Sequence, residues 1–155
     1  MSRCWLMKTE PNTYSIDHLE RDGRTHWEGV RNYQARNLMR DEMKQGDRVL
    51  FYHSSAGPPG VVGEARVVRA AYPDHFAQDP ESAYFDEKAS PKDPRWYMVD
   101  IEFVRKLPGF VSLETLKSAK GLEEMIVITK SRLSVQPVTK DEFDIVCALG
   151  DGVSI

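Results

Sequence analysis

The sequence predicts an α+β fold: a small, mainly antiparallel β-barrel surrounded by α-helices. Three observations point to it. Five or so short runs of strand formers are interleaved with helical patterns at varied spacing, without the strict alternation that a doubly wound parallel sheet needs. Gly63 stands inside one of these runs, where a small barrel turns a corner through a bulge or sharp bend. The chain's 155 residues, 41% of them hydrophobic, suit one domain spanning 1–155 with a real core.

In chain order, Cys4-Trp5-Leu6-Met7 reads as a first strand, and Lys8-Thr9-Glu10-Pro11 as the turn that ends it. Ser15 can cap a brief helix through Ile16 and Leu19 that Gly23 closes, and a loop then leads to Trp27. Within the stretch 27–40, Asn32 can accept a hydrogen bond from a free N–H in a first helical turn. Ala35, Leu38, Met39 and Met43 follow at helical spacing, which predicts a helix from Asn32 to about Gln45. Gly46-Asp47 marks a turn. Residues 48–53 and 61–68 read as two antiparallel strands joined by a Gly/Pro/Ser turn. From Tyr72 to Pro94, four prolines forbid long regular structure, yet Tyr72, Phe76, Tyr84 and Phe85 predict a segment that packs on the domain and walls a cleft. Residues 96–104 alternate as a strand that Pro108-Gly109 breaks; Ser112 begins a capped helical turn, and residues 121–125 suggest another. Residues 132–138 form a last strand, which Pro137 assigns to an edge or terminus. Thr139 and Glu142 then make a capping box for a final helix that Gly150 ends.

Composition removes several function classes. A net charge of -3 gives no global attraction to a polyanion, so any nucleic-acid contact must be a local patch. Cys4 and Cys147, the only cysteines, cannot supply a disulfide framework or a four-cysteine zinc site, and reduced thiols in a cytosol are the expectation. Neither a leader nor an apolar run long enough to span a bilayer is found, so the expectation is a soluble cytoplasmic protein without membrane contact. Phosphate-loop, serine-elbow and paired-His zinc motifs are absent. His18, His26, His53 and His75 lack ligand-like spacing, so neither a metal nor a cofactor is expected. His53, beside Ser54, is the one histidine with a possible catalytic setting, but no third orienting group is evident. Asp86-Glu87 and Glu123-Glu124 read as solvated faces.

What remains is aromatic and basic. Trp27 and Arg31 flank the mouth of the central helix, where unpaired N–H groups and the positive dipole end make an anion-plus-aromatic site. Trp5, Trp27, Tyr52 and Trp96 lie near Lys8, Arg31 and Arg95, and Lys130-Ser131-Arg132 adds two cations around a hydroxyl. Such groups suit an unpaired base and its phosphates. They suit core-anchored tryptophans equally well, and spacing alone leaves the two readings level.

Residues 5–11, 27–37, Gly46-Asp47, 51–54, 93–96 and 132–138 together resemble the EVE domain family, which the thymocyte nuclear proteins share with many small bacterial proteins. The resemblance runs nearly end to end, and its second stretch is long and specific. It implies a PUA-like barrel related in fold to PUA, YTH and ASCH domains. It also implies a reader of nucleic acid, of modified bases in DNA rather than RNA, in place of a catalyst. The implied pocket draws on Lys8, Thr9, Trp27, Gly29, Val30, Arg31, Asn32, Tyr52, His53, Ser54, Ser131 and Arg132. A base examined on all its edges must be flipped out of the duplex, with Trp27 stacking on it, Asn32 reading its polar edge, and Lys8, Arg31 and Arg132 on phosphates. The alternatives are a small hydrolase using His53 and a protein-interaction module using the segment from Tyr72 to Phe85. The basic N-terminal extension of eukaryotic members is missing, which suggests a compact bacterial-type protein.

Overall fold

Cys4–Thr9 (β1) carries apolar side chains on both faces, the pattern of a strand buried on both sides. The structure, a computed structural model that describes residues 3–55, 57–129 and 132–152, places it accordingly in the interior of a sheet. It pairs in parallel with Arg48–His53 (β3) and antiparallel with Val135–Val138 (β6). β3 pairs antiparallel with Gly60–Pro73 (β4), β4 with Tyr97–Ser112 (β5), and β5 with the three-residue Arg24–His26 (β2). The order is β2-β5-β4-β3-β1-β6. Among the described residues the sheet is therefore mixed, with a single parallel pairing, and it is open, where a closed barrel was expected. One end is the short β2; the other is β6, whose Pro137 suits an edge.

Several elements end elsewhere than the sequence suggests. β1 continues through Lys8 and Thr9, which pair with Tyr52 and His53. β2 replaces the expected loop before Trp27. The helix Tyr33–Asp41 (α2) is capped by Asn32, whose side chain accepts from the Ala35 N–H at 2.9 Å, as expected, but it stops short of Gln45. The cause is Asp47. Its buried carboxylate takes the Lys44 N–H at 2.9 Å, the Trp5 indole N–H at 2.8 Å and the Arg3 N–H at 3.0 Å, which pulls the chain into the turn at Gly46. The bulge at Gly63 is present: Phe51 opposes Gly63 and Tyr52 opposes Val61, leaving Val62 over. β5 runs through Pro108-Gly109 because residues 107–110 face only Val62 between the pairs Lys106/Gly63 and Val111/Val61. No ladder bond is asked of the proline there.

Ile16–Asp22 (α1) starts with a capping box between Ser15 and His18 and closes at Gly23. Leu113–Ser118 (α3) is capped by Ser112, and Lys140–Gly150 (α5) by the expected Thr139/Glu142 box. The helical turn sought at 121–125 falls slightly later, at Ile126–Thr129 (α4). The strand expected from Arg132 begins at Val135. Alternation along the strands divides the core between the two faces of the sheet. Trp5, Met7, Phe51 and Ile101 pack with Leu19, Ala35 and Met39 of α1 and α2. Leu6, Leu50, Val61 and Val111 pack with Leu116, Phe143 and Val146 of α3 and α5. Among the described residues no helix is long and apolar enough to cross a membrane, and no group of acids, histidines or cysteines is placed to hold a metal.

Candidate functional site

The polar end of β1 and the link from β2 into α2 leave between them a cleft of about 280 Å³. One wall is Lys8, Thr9 and Glu10, continued by Thr13 and Tyr14; the other is the continuous run from Thr25 to Arg31; Tyr84 and Ser134 complete it.

The second wall is held by one carboxylate. Asp74 is fully buried, and its Oδ2 accepts from the Gly29 N–H at 3.0 Å and from Arg31 Nη1 at 3.1 Å, while Oδ1 accepts from the Phe76 N–H at 3.0 Å. The Arg31 guanidinium also donates to the Tyr84 carbonyl at 2.6 and 3.2 Å and to the Val30 carbonyl at 3.0 Å. The segment after β4 is thus pinned across the Trp27–Arg31 run, and this brings Tyr84 to the cleft. Gly29 completes the fit: its φ is +83°, and a Cβ there would lie 2.7 Å from the Tyr84 ring.

Trp27 forms the floor. Its N–H donates to the Val99 carbonyl at 2.8 Å, its ring meets Phe51 edge to face at 5.7 Å, and the residue is only 8% exposed. At the rim, His26 Nε2 stands 3.3 Å from a Glu28 carboxylate oxygen, and the His26 ring stacks on Phe76 at 5.2 Å. Lys8 places its ammonium 5.6 Å from the centre of the Tyr52 ring, and burial lowers its pKa. Its N–H donates to the Ser134 carbonyl at 2.9 Å, which brings β6 into the site. Tyr14 donates to Asp22 at 2.8 Å; burial, then that hydrogen bond, pushes its pKa up to about 12, so it remains a phenol.

Six residues of the pocket implied by the sequence line this cleft: Lys8, Thr9, Trp27, Gly29, Val30 and Arg31. Asn32 does not; its side-chain oxygen is used in capping α2. Tyr52 is buried against the other core, Ser54 donates its N–H to the Thr9 carbonyl at 2.9 Å, and Arg132 is exposed and does not line the cleft. Ser131, with Lys130, lies outside the described residues. Sequence reasoning passed over Glu10, Thr13, Tyr14, Thr25, His26, Glu28 and Ser134, and named Tyr84 only as part of a segment expected to wall a cleft. Glu28 lay inside the motif already singled out, and the aromatic content of 72–94 was the signal for Tyr84. The aromatic platforms are mostly core: Trp5, Trp96 and Tyr52 are 0%, 4% and 3% exposed.

His53 also lies outside the cleft. Its Nε2 accepts from the Ile16 N–H at 3.1 Å, so the lone pair a general base would use is occupied. Burial depresses its pKa, against a smaller raising effect of Asp17. A histidine with a depressed pKa binds a proton less readily folded than unfolded, so its contribution to stability is present above about pH 6.5 and is lost as pH falls through its folded pKa. Urea unfolding from about pH 7.5 to 5 is expected to show this decline, and His53→Gln to flatten part of it. Parallel profiles for the two proteins would count against the assignment.

The mixed sheet with its flanking helices and the cleft at its edge make this an α+β domain. A YTH domain from Zygosaccharomyces rouxii MRB1, solved with N6-methyladenosine RNA, shares the fold alone, at a TM-score of 0.55 and 17% identity over 99% of this chain and 89% of that one. The chain belongs to the EVE domain family, whose model matches residues 3–149. It is 41% identical to mouse thymocyte nuclear protein 1 over 168 aligned residues, covering 96% of this chain and 74% of that protein. The structure of human THYN1 in complex with DNA containing 5-methylcytosine superposes with a TM-score of 0.90 at 40% identity, over 97% of this chain and 98% of that one.

Proposed function

We propose that this chain reads a modified base in DNA, methylated or hydroxymethylated cytosine being the favoured class, by taking the base out of the stack into the cleft beneath Tyr84. The observation that carries the reading is a coincidence of place. The segment Trp27–Arg31, which bears the family resemblance, is also a wall of the cleft, and a relative 40% identical over nearly the whole chain is known bound to 5-methylcytosine DNA. Unstacking a base costs a few kcal/mol, and an aromatic face returns about 1–3 kcal/mol. Tyr84 is the ring suited to stacking, since Trp27 is too deeply buried to offer a face; Trp27 and Val30 make an apolar floor for a methyl group, and Thr9, Thr13 and Thr25 supply hydroxyls. Phosphate contacts fall to the surface beside the cleft, where Arg36 lies 4.7 Å from the Tyr33 ring and 5.8 Å from that of Trp96, and Arg95 donates to the Tyr33 hydroxyl. Arg31, which the sequence reading put on phosphates, is engaged by Asp74 and Tyr84 instead.

Fluorescence anisotropy on oligonucleotides that differ at one base, in DNA and RNA at fixed salt, tests this. Wild type is expected to prefer modified DNA, and Tyr84→Ala to weaken modified and unmodified strands alike by about 1–3 kcal/mol. Unchanged affinity in a folded Tyr84→Ala variant would reject the stack.

A further inference from the structure

The cleft carries the wrong charge for a phosphate. Glu10 and Glu28 line it, with Lys8 and Arg31 as its lysine and arginine, and Arg31 already faces the buried Asp74 carboxylate. A carboxylate close to a polyanion is repelled by it, so one retained at the seat of the base must be offset by a hydrogen-bond donor on the ligand. An ionised carboxylate only accepts hydrogen bonds. It favours an amino group and opposes a carbonyl oxygen.

Of the two, Glu28 is the one held in place. It sits between the Trp27 floor and Gly29, over which the Tyr84 ring lies, and its side chain is 31% exposed. His26 Nε2 stands 3.3 Å from Glu28 Oε2, and the histidine ring is itself fixed against Phe76. Oε1 accepts no hydrogen bond from any described residue, which leaves an acceptor at the cleft. Glu10 is exposed and has no comparable hold.

We infer that Glu28, oriented by His26, reads the exocyclic amino group of a flipped cytosine-type base. This rests on the base-reader proposal and names the edge that is read. 5-Methylcytosine and thymine carry the same methyl group and differ on the polar edge, where cytosine presents N4–H₂ as a donor and thymine O4 as an acceptor. Glu28 accepts from the first and repels the second. The methyl group alone cannot separate the two bases; the carboxylate can.

The test titrates the full chain against single-stranded DNA oligonucleotides of one sequence, with 5-methylcytosine, cytosine or thymine at a single position and constant salt. Wild type is expected to prefer 5-methylcytosine over thymine by about tenfold. Glu28→Gln, nearly the same size but neutral and able to donate, is expected to reduce that ratio to about twofold or less while keeping the preference for 5-methylcytosine over cytosine. Glu28→Asp keeps the charge on a shorter arm and should retain the order of preference at lower affinity. Glu114→Gln, on α3 across the sheet, should change nothing. Thermal melts establish that each variant is folded. Equal binding of 5-methylcytosine and thymine by wild type, or an undiminished ratio in folded Glu28→Gln, overturns this assignment and leaves the base reader standing. If none of the DNA strands binds, both fall together.

Discussion

Asp74→Ala is expected to destabilise the protein by about 3 kcal/mol and to loosen the wall that carries Tyr84. The carboxylate is fully buried and serves three donors: the Gly29 and Phe76 N–H groups and the Arg31 guanidinium. Its removal leaves two backbone donors unpaired and a guanidinium without its counter-charge. Breaking a buried pair from one side costs about 3–5 kcal/mol, and the low end applies because the Arg31 side chain is 24% exposed, so water relieves part of its charge. Urea unfolding measures the loss. Arg31→Met combined with Asp74→Ala should cost less than the sum of the two single changes, because the double variant leaves no uncompensated cation. Oligonucleotide affinity per folded Asp74→Ala molecule should also fall, since Arg31 and Asp74 together place the Tyr84 ring. A loss below about 0.5 kcal/mol would mean that the Gly29 and Phe76 N–H groups find other partners.

The parts of this fold that could be read from the sequence are those whose signal is local. Ser15, Asn32, Ser112 and Thr139 each cap the helix they announce, since a cap is settled within a few residues. β1 and β3 were plain from unbroken apolar runs. What escaped depends on contacts distant in the chain. β2 is Arg-Thr-His, with no apolar alternation, and is a strand only because β5 lies beside it. The early end of α2 follows from Asp47, and the tolerance of Pro108 from a register shift on β4. In the cleft, the Trp27–Arg31 wall was legible as a motif and the aromatic segment with Tyr84 as a cleft wall, whereas which cleft Tyr84 joins, and the arrival of Ser134, depend on Arg31 and Lys8 hydrogen bonds that no spacing reveals. Asn32 shows the limit most clearly. A polar residue at a loop-to-helix junction reads equally as a cap and as a base contact, and only geometry shows that its oxygen is already used.

Trp27→Ala should be the most damaging single truncation at the cleft, and it separates the two roles that the sequence left level for the indole. The ring is 8% exposed, packs edge to face on Phe51, and belongs to the core shared with Leu19, Ala35 and Met39. Truncating a buried aromatic of this size removes its transfer energy and leaves a cavity beneath the cleft, a loss of about 3–5 kcal/mol. An exposed stacking platform would lose far less stability and would show its loss in binding. Trp27→Phe, which keeps an aromatic ring against Phe51, should recover much of the stability. At a temperature where all variants remain folded, Trp27→Phe should bind unmodified strands nearly as wild type does, whereas Tyr84→Ala should weaken every strand by about 1–3 kcal/mol. If Trp27→Ala unfolds within about 1 kcal/mol of wild type while its affinity collapses for all bases, the indole is the stacking surface and the floor assigned to it is wrong.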